Sequence, residues 1–280
     1  MKRIILSALM ILGVLITASA RDYRVYGPQG GLDIKITLPE GFNTETDHCP
    51  MVILMHGIFS SKKSTLITAL AKGLAKEGIG TISFDFDGHG KSQGRIVEMT
   101  VEKEIADAMA ILDYVRGLPY VSQIGFLGHS QGGVIASMAA GRLAAQGDSV
   151  PLALALLAPG SIIKEACQAG IFFNARFDPK DPPESVSIFG PRKLGREYMV
   201  STQELDIFGT AAFYQGPVCI IHGAKDNIVP IWCSEKYIEV YEGRATLTII
   251  DGASHTFSHH RKEAVAQVVP FFKKIFFEQI

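Results

Sequence analysis

Several large function classes lack their sequence marks here. The formal net charge is −1 over 280 residues, so no polyanionic partner is implied and nucleic-acid binding is not expected. No two of the four cysteines stand in C-x-x-C spacing and no H-E-x-x-H run occurs, so neither a zinc site nor a redox dithiol is suggested. The glycine-rich stretch Asp85-Phe86-Asp87-Gly88-His89-Gly90-Lys91-Ser92 matches neither G-x-x-x-x-G-K-[ST] nor G-x-G-x-x-G, which argues against a phosphate cradle. No metal or cofactor is expected. Internal repeats, low-complexity tracts and linkers are also absent. At 47% hydrophobic and 20% charged residues, the composition is that of an ordinary globular chain.

The N-terminus differs from the rest. Lys2 and Arg3 precede an apolar stretch from Ile4 to Ile16, and Ala18-Ser19-Ala20 supplies the small-x-small pattern that a signal peptidase cuts after. The stretch is shorter than the run of about 18 apolar residues that a membrane span wants. Residues 1–20 are therefore expected to be an export signal, with a periplasmic or secreted mature chain, no cysteine to carry a lipid and no stable membrane anchor. Export permits disulfides, and Cys49, Cys167, Cys219 and Cys233 allow three pairings among which the sequence does not choose. Cys219 sits in the strand-like run Pro217-Val218-Cys219-Ile220-Ile221 and reads as a buried thiol acting as a small hydrophobe.

Strand and helix patterns then alternate. Leu32, Ile34, Ile36 and Leu38 share one face of an edge hairpin. The continuous apolar run from Pro50 to Met55 has the pattern of a strand covered on both faces. Residues 62–77 place Leu66, Leu70 and Leu74 at helical spacing, and residues 81–84 form the next strand. Thr100 caps a helix that carries Ile105, Met109 and Leu112. Further strands are expected at 123–127, 153–158, 217–221 and 246–250, with helices at 230–241 and 262–277. Such alternation predicts an α/β fold with a mostly parallel central sheet and helices on both faces. It fails over about 160–215, an aromatic and proline-rich interval that is expected to be a functional insertion capping the strand ends.

One turn carries chemistry. Gly128-His129-Ser130-Gln131-Gly132 lies between a strand and a helix and matches the G-x-S-x-G elbow, which lifts a serine hydroxyl above the sheet edge. A serine needs a base to attack a carbonyl, and the base needs a carboxylate to fix its tautomer. In this order the acid and the histidine should follow Ser130. Asp226 lies on the loop after the strand at 217–221, and His255 on the loop after 246–250, so both are aimed at the edge that displays Ser130. Asp251, Asp206, Asp85 and Asp87 are rival carboxylates; Asp226 is preferred for its position after a strand. His56, His129 and His222 stand beside glycines after strands and are expected to brace loops, while His259 and His260 mark a helix start. For the oxyanion, the backbone N–H groups of Gln131 and Ile58 are the expected donors.

Met51-Val52-Ile53-Leu54-Met55-His56-Gly57, Phe84-Asp85-Phe86-Asp87-Gly88-His89-Gly90, Gly128-His129-Ser130-Gln131-Gly132-Gly133-Val134 and Leu156-Leu157-Ala158-Pro159, in this order, resemble blocks of the α/β-hydrolase superfamily. Within it they look most like bacterial cinnamoyl (feruloyl) esterases. The resemblance spans essentially all of residues 21–280. It implies a Ser-Asp-His carboxylesterase with a small cap, in which a tyrosine and an acid hold the ring hydroxyls of the substrate. Leu194-Gly195-Arg196-Glu197-Tyr198 matches the surroundings of that tyrosine, so Tyr198 takes its place. The acid has no clean match, and Glu165 is the nearby candidate. The function expected on this basis is hydrolysis of hydroxycinnamoyl esters of plant cell-wall carbohydrate, so that the partners are small-molecule or oligosaccharide esters. A short-acyl esterase or lipase, or a non-catalytic binding protein on the same fold, is the alternative.

Overall fold

A computed structural model of the chain describes residues 24–278. The export segment expected at residues 1–20 lies outside the described residues. The first strands, β1 (Arg24–Gly27) and β2 (Gly30–Thr37), pair as an antiparallel hairpin. They are followed by β3 (Cys49–Met55), β4 (Gly80–Phe84), β5 (Val121–His129) and β6 (Leu154–Leu157). Two small hairpins come next, β7 (Ile171–Phe172) with β8 (Ala175–Arg176) and β9 (Ser185–Ile188) with β10 (Arg192–Gly195). The chain then returns to the main sheet as β11 (Val218–Gly223) and β12 (Ala245–Ile250). The main sheet has the order β1-β2-β4-β3-β5-β6-β11-β12. From β4 to β12 every pairing is parallel, and β2 joins β4 antiparallel.

Parallel strands covered on both faces need apolar side chains at every position, and β3, β4, β6 and β11 are buried throughout. Successive side chains alternate between the faces. Val52 and Leu54 of β3 join the core beneath α1 (Thr65–Lys76), whereas Met51, Ile53 and Met55 join the opposite core, beneath α2 (Val101–Arg116) and α3 (Gln131–Ala145). The insertion between β6 and β11 adds three short helices, α4 (Ile163–Gln168), α5 (Arg196–Ser201) and α6 (Ile207–Ala212). After β11, α7 (Trp232–Val240) adds Tyr237 to the α2–α3 side, and after β12, α8 (Arg261–Phe277) adds Val268 and Phe272 to the α1 side. Among the described residues no helix is long and apolar enough to cross a membrane.

One difference from the sequence reading has a clear cause. The α1 helix starts at Thr65, where the Ser64 hydroxyl accepts the Ile67 N–H at 3.3 Å, and not at Lys62. Lys62 is held elsewhere: its N–H donates to Asp85 Oδ1 at 2.7 Å and its buried ammonium lies between Asp33 and Asp85. The disulfides that export would permit are not formed. Cys49, Cys167, Cys219 and Cys233 are all buried free thiols, and burial pushes Cys167 and Cys219 up to about 12, so these two are inert at neutral pH.

Lys62 neutralises two carboxylates that have little other access to water, and it anchors the loop between β3 and α1. Removing one partner of a buried ion cluster leaves uncompensated charge and costs about 3–5 kcal/mol. Lys62→Met is expected to lose stability on that scale, read from urea unfolding midpoints. A loss below about 1 kcal/mol would mean that the cluster contributes no more than a surface pair.

Candidate active site

β5 ends at His129 and α3 begins at Gln131, so Ser130 alone makes the turn, with φ 56° and ψ −124°. A non-glycine residue there costs on the order of 1–3 kcal/mol and persists only where its surroundings enforce it. The Ser130 N–H donates to Leu157 O at 2.9 Å, and the Ser130 carbonyl accepts from Gly133 and Gly160, each at 2.9 Å. The flanking glycines supply space, while the strained torsion belongs to the serine. A Cβ on Gly128 would lie 2.0 Å from Gly132 O, and one on Gly132 would lie 2.4 Å from Met55 O.

The loops after β11 and β12 reach the same place. Ser130 Oγ lies 2.9 Å from His255 Nε2, and His255 Nδ1 donates to Asp226 Oδ2 at 2.7 Å. Burial works to raise the Asp226 carboxyl, but the hydrogen bond and charge of His255, with the Val229 and Ile228 amides, hold it below its ordinary value. An ionised Asp226 fixes His255 with Nδ1 protonated, which leaves Nε2 as an acceptor for the Ser130 proton. His129 and His222 brace this pair. His129 Nε2 donates to the His255 carbonyl at 2.9 Å, and burial first, then the His255 charge, lowers its ring to about 3. His222 Nε2 bonds Val229 O at 2.9 Å and lies 3.4 Å from Asp226 Oδ2. The rival carboxylates lie apart from His255: Asp85 is held by Lys62, Asp206 caps α6, Asp87 is buried with its N–H on Asp107, and Asp251 is exposed.

The Gln131 N–H stands at the first position of α3, where the helix dipole favours negative charge. Neither it nor the Ile58 N–H has a hydrogen-bond partner among the described residues, and both residues line the pocket beside Ser130. Separate buried contacts brace the two donors. The Tyr198 hydroxyl donates to Gln131 Oε1 at 2.7 Å, and Gln131 Nε2 donates to Glu104 Oε2 at 2.6 Å. Glu104 Oε1 lies 3.7 Å from His89 Nδ1. On its far side, His89 Nε2 accepts the Phe59 N–H at 3.3 Å, next to Ile58. Burial, and then the negative charges of Asp107 and Asp87, push Glu104 up to about 8 against the opposing Gln131 hydrogen bond. Sequence reading missed Glu104, although an acid between Val101 and Ile105 on the buried stripe of α2 was a visible signal.

The pocket has a volume of about 500 Å³, and its walls come largely from the insertion. Tyr198 and Glu165 are not among its lining residues, which corrects the ring-hydroxyl roles expected for them. Tyr198 is fully buried at 0% exposure, its hydroxyl already bonded to Gln131. Glu165 lies on the exposed side of α4 and lines a separate recess with Lys164 and Asp206; one residue on, Ala166 lines the pocket. Among the described residues no group of three or more His, Cys, Asp or Glu is arranged to hold a metal.

This geometry has relatives. The family model described as serine aminopeptidase, S33, matches residues 46–177. The structure of Est1E from Butyrivibrio proteoclasticus with ferulic acid bound is 27% identical, covers 92% of this chain and 100% of that one, and superposes with a TM-score of 0.85. The mitochondrial palmitoyl-protein thioesterase ABHD10 of Bos taurus is 25% identical over 222 residues, 78% of this chain and 69% of its own. Mouse alpha/beta hydrolase domain-containing protein 10 shares the fold with a TM-score of 0.66 at 17% identity. The chain has the α/β-hydrolase fold. Its fold, the family match and these neighbours agree on a hydrolase scaffold of the serine type.

Glu104 also sets a pH dependence. Its folded value, about 8, lies above its ordinary 4.5, so between these values the folded state keeps a proton that the unfolded chain has released. Stability therefore falls as pH rises through that window. Glu104→Gln removes this titration, and its melting temperature is expected to decline less than that of wild type between pH 5 and 8, by several degrees for a linkage of roughly 3 kcal/mol. Parallel declines would show that Glu104 is already ionised at pH 5.

Proposed function

We propose that the protein is a serine carboxylesterase that works through an acyl-enzyme. The carrying observation is the unbroken hydrogen-bond chain from Ser130 through His255 to Asp226, set at the mouth of an apolar pocket. His255 Nε2 takes the Ser130 proton as Oγ bonds to the ester carbonyl carbon, and the Ile58 and Gln131 N–H groups hold the resulting oxyanion. Collapse breaks the bond to the alcohol oxygen, which leaves with the proton from His255. A water then enters by the same route: His255 removes its proton, the hydroxide bonds to the acyl carbon, and Ser130 Oγ departs with that proton. The free acid and the alcohol are the products. Asp226 stabilises the imidazolium formed in each half.

For the substrate, the reading is a hydroxycinnamoyl ester of plant cell-wall carbohydrate, cleaved by an exported enzyme. The likeness to Est1E with ferulic acid bound supports the acyl class, and the N-terminal pattern at residues 1–20 supports export. A second reading is a thioesterase or short-acyl esterase. The likeness to ABHD10, named a palmitoyl-protein thioesterase, favours it, and the same apolar walls would suit an alkyl chain. A protein that merely binds has no use for a base held against a serine, and this favours the catalytic reading over the non-catalytic alternative.

On p-nitrophenyl acetate, Ser130→Ala and His255→Ala are each expected to lower kcat by about 10⁴-fold or more, and Asp226→Asn by about 10³- to 10⁴-fold. Steady-state rates on the purified mature chain test this. An Ser130→Ala variant with wild-type activity would overturn the mechanism.

A further inference from the structure

Two phenylalanines at the pocket rim sit in a conformation that side chains rarely adopt. Phe173, at the turn of the β7–β8 hairpin, has φ 51°, and Phe189, at the turn of β9–β10, has φ 45°. Their rings meet with centroids 5.3 Å apart, and the Phe189 N–H donates to Asn174 Oδ1 at 3.2 Å, which ties one hairpin to the other. Both rings stay open to water, 38% and 55% exposed. Unfavourable torsions cluster at ligand clamps. Large apolar side chains left exposed together at a pocket rim mark a surface that a ligand covers.

Behind the rim, the wall is carbon. Ile163, Ala166, Phe172 and Ile228 line it. Among the described residues, the lining residues with polar side chains are Ser130, Gln131 and Asn227, and all three belong to the nucleophile turn or to the loop of Asp226. Ser130 is the attacking group. Gln131 has its amide oxygen engaged by Tyr198 and its amide nitrogen by Glu104. Asn227 belongs to the loop of Asp226 and so lies at the reacting centre. Tyr198 is sealed beneath Phe172, their ring centroids 5.5 Å apart, and the Glu165 carboxylate lies in a different recess.

We infer that the pocket selects the acyl group by apolar contact alone, so that among phenylpropenoyl esters it favours rings without free hydroxyls. This inference rests on the ester-hydrolase reading and revises its acyl preference: free hydroxycinnamates become the poorer members of the series, and their unsubstituted or O-methylated counterparts the better ones. A ring hydroxyl buried here gives up its water and finds no side-chain partner away from the reacting centre, which lowers kcat/KM by roughly five- to a hundredfold per hydroxyl. A methoxy group has no proton to leave unpaired, so it carries its bulk without that penalty.

The methyl esters of cinnamate, p-coumarate and caffeate, with none, one and two free hydroxyls, form the test series, and methyl 4-methoxycinnamate controls for size. The expected result is a fall in kcat/KM of roughly fivefold or more at each step from cinnamate to caffeate, with the methoxy ester keeping company with cinnamate. Tyr198→Phe is expected to leave the cinnamate-to-caffeate ratio within about twofold of wild type, because its hydroxyl faces Gln131 and not the pocket. Caffeate equal to or better than cinnamate, or a loss in Tyr198→Phe confined to the hydroxylated esters, would overturn the inference. Ser130-dependent cleavage of p-nitrophenyl acetate keeps the two levels apart. If it is present while the aryl order is reversed, only this inference fails; if no ester is cleaved, or Ser130→Ala cleaves as well as wild type, the esterase reading fails and this inference with it.

Discussion

The backbone of Ser130 is the constraint on which the rest of the site depends. A non-glycine residue at φ 56° between a strand and a helix is held there by three neighbouring segments at once. Leu157 at the end of β6 accepts its N–H, Gly160 donates to its carbonyl, and the chain around Met55 and His56 lies so near Gly132 that no side chain fits between. Each of those contacts requires β3, β5 and β6 to be adjacent and parallel. The sheet order therefore does more than bury the core. It clamps the turn that exposes one hydroxyl, and it delivers the loops of β3, β11 and β12 to the same edge.

Around this turn the protein uses burial in two opposite ways. On the Asp226 side, hydrogen bonds outweigh desolvation and keep a carboxylate charged against His255. On the Glu104 side, desolvation outweighs the bond from Gln131 and favours the neutral acid near pH 7. The first arrangement fixes a proton's direction of travel. The second anchors the Gln131 side chain, and so the start of α3, without placing a full negative charge close to where an oxyanion would form. A fully ionised acid behind that helix start would oppose the dipole on which anion stabilisation depends.

Much of this was legible in the sequence, and the exceptions have physical reasons. Alternating strand and helix patterns revealed the layered sheet, because the helices α1, α2, α3, α7 and α8 run from nine to seventeen residues, long enough to show their period. The order of Ser130, Asp226 and His255 pointed to three side chains that the structure brings within hydrogen-bond reach of one another. The insertion could not be read: its helices and strands run from two to six residues, too short for a period to emerge. Lys62, between Ser61 and Lys63, looks like any surface lysine, and only the return of β2 and β4 reveals the two carboxylates that bury it. Tyr198 was placed by resemblance of its neighbours, which says where the chain runs but not where a hydroxyl points. Glu104 was the one missed residue with a signal, an acid on an apolar stripe.

The central claim is that Ser130 is a nucleophile activated by its neighbours, and covalent labelling tests it without any assumption about substrate. Treatment with a fluorophosphonate, followed by intact-mass measurement and peptide mapping, is expected to show one phosphonyl group per chain on Ser130, and none on Ser130→Ala. An unlabelled wild-type chain, or a label that persists at another residue in the variant, would contradict the account.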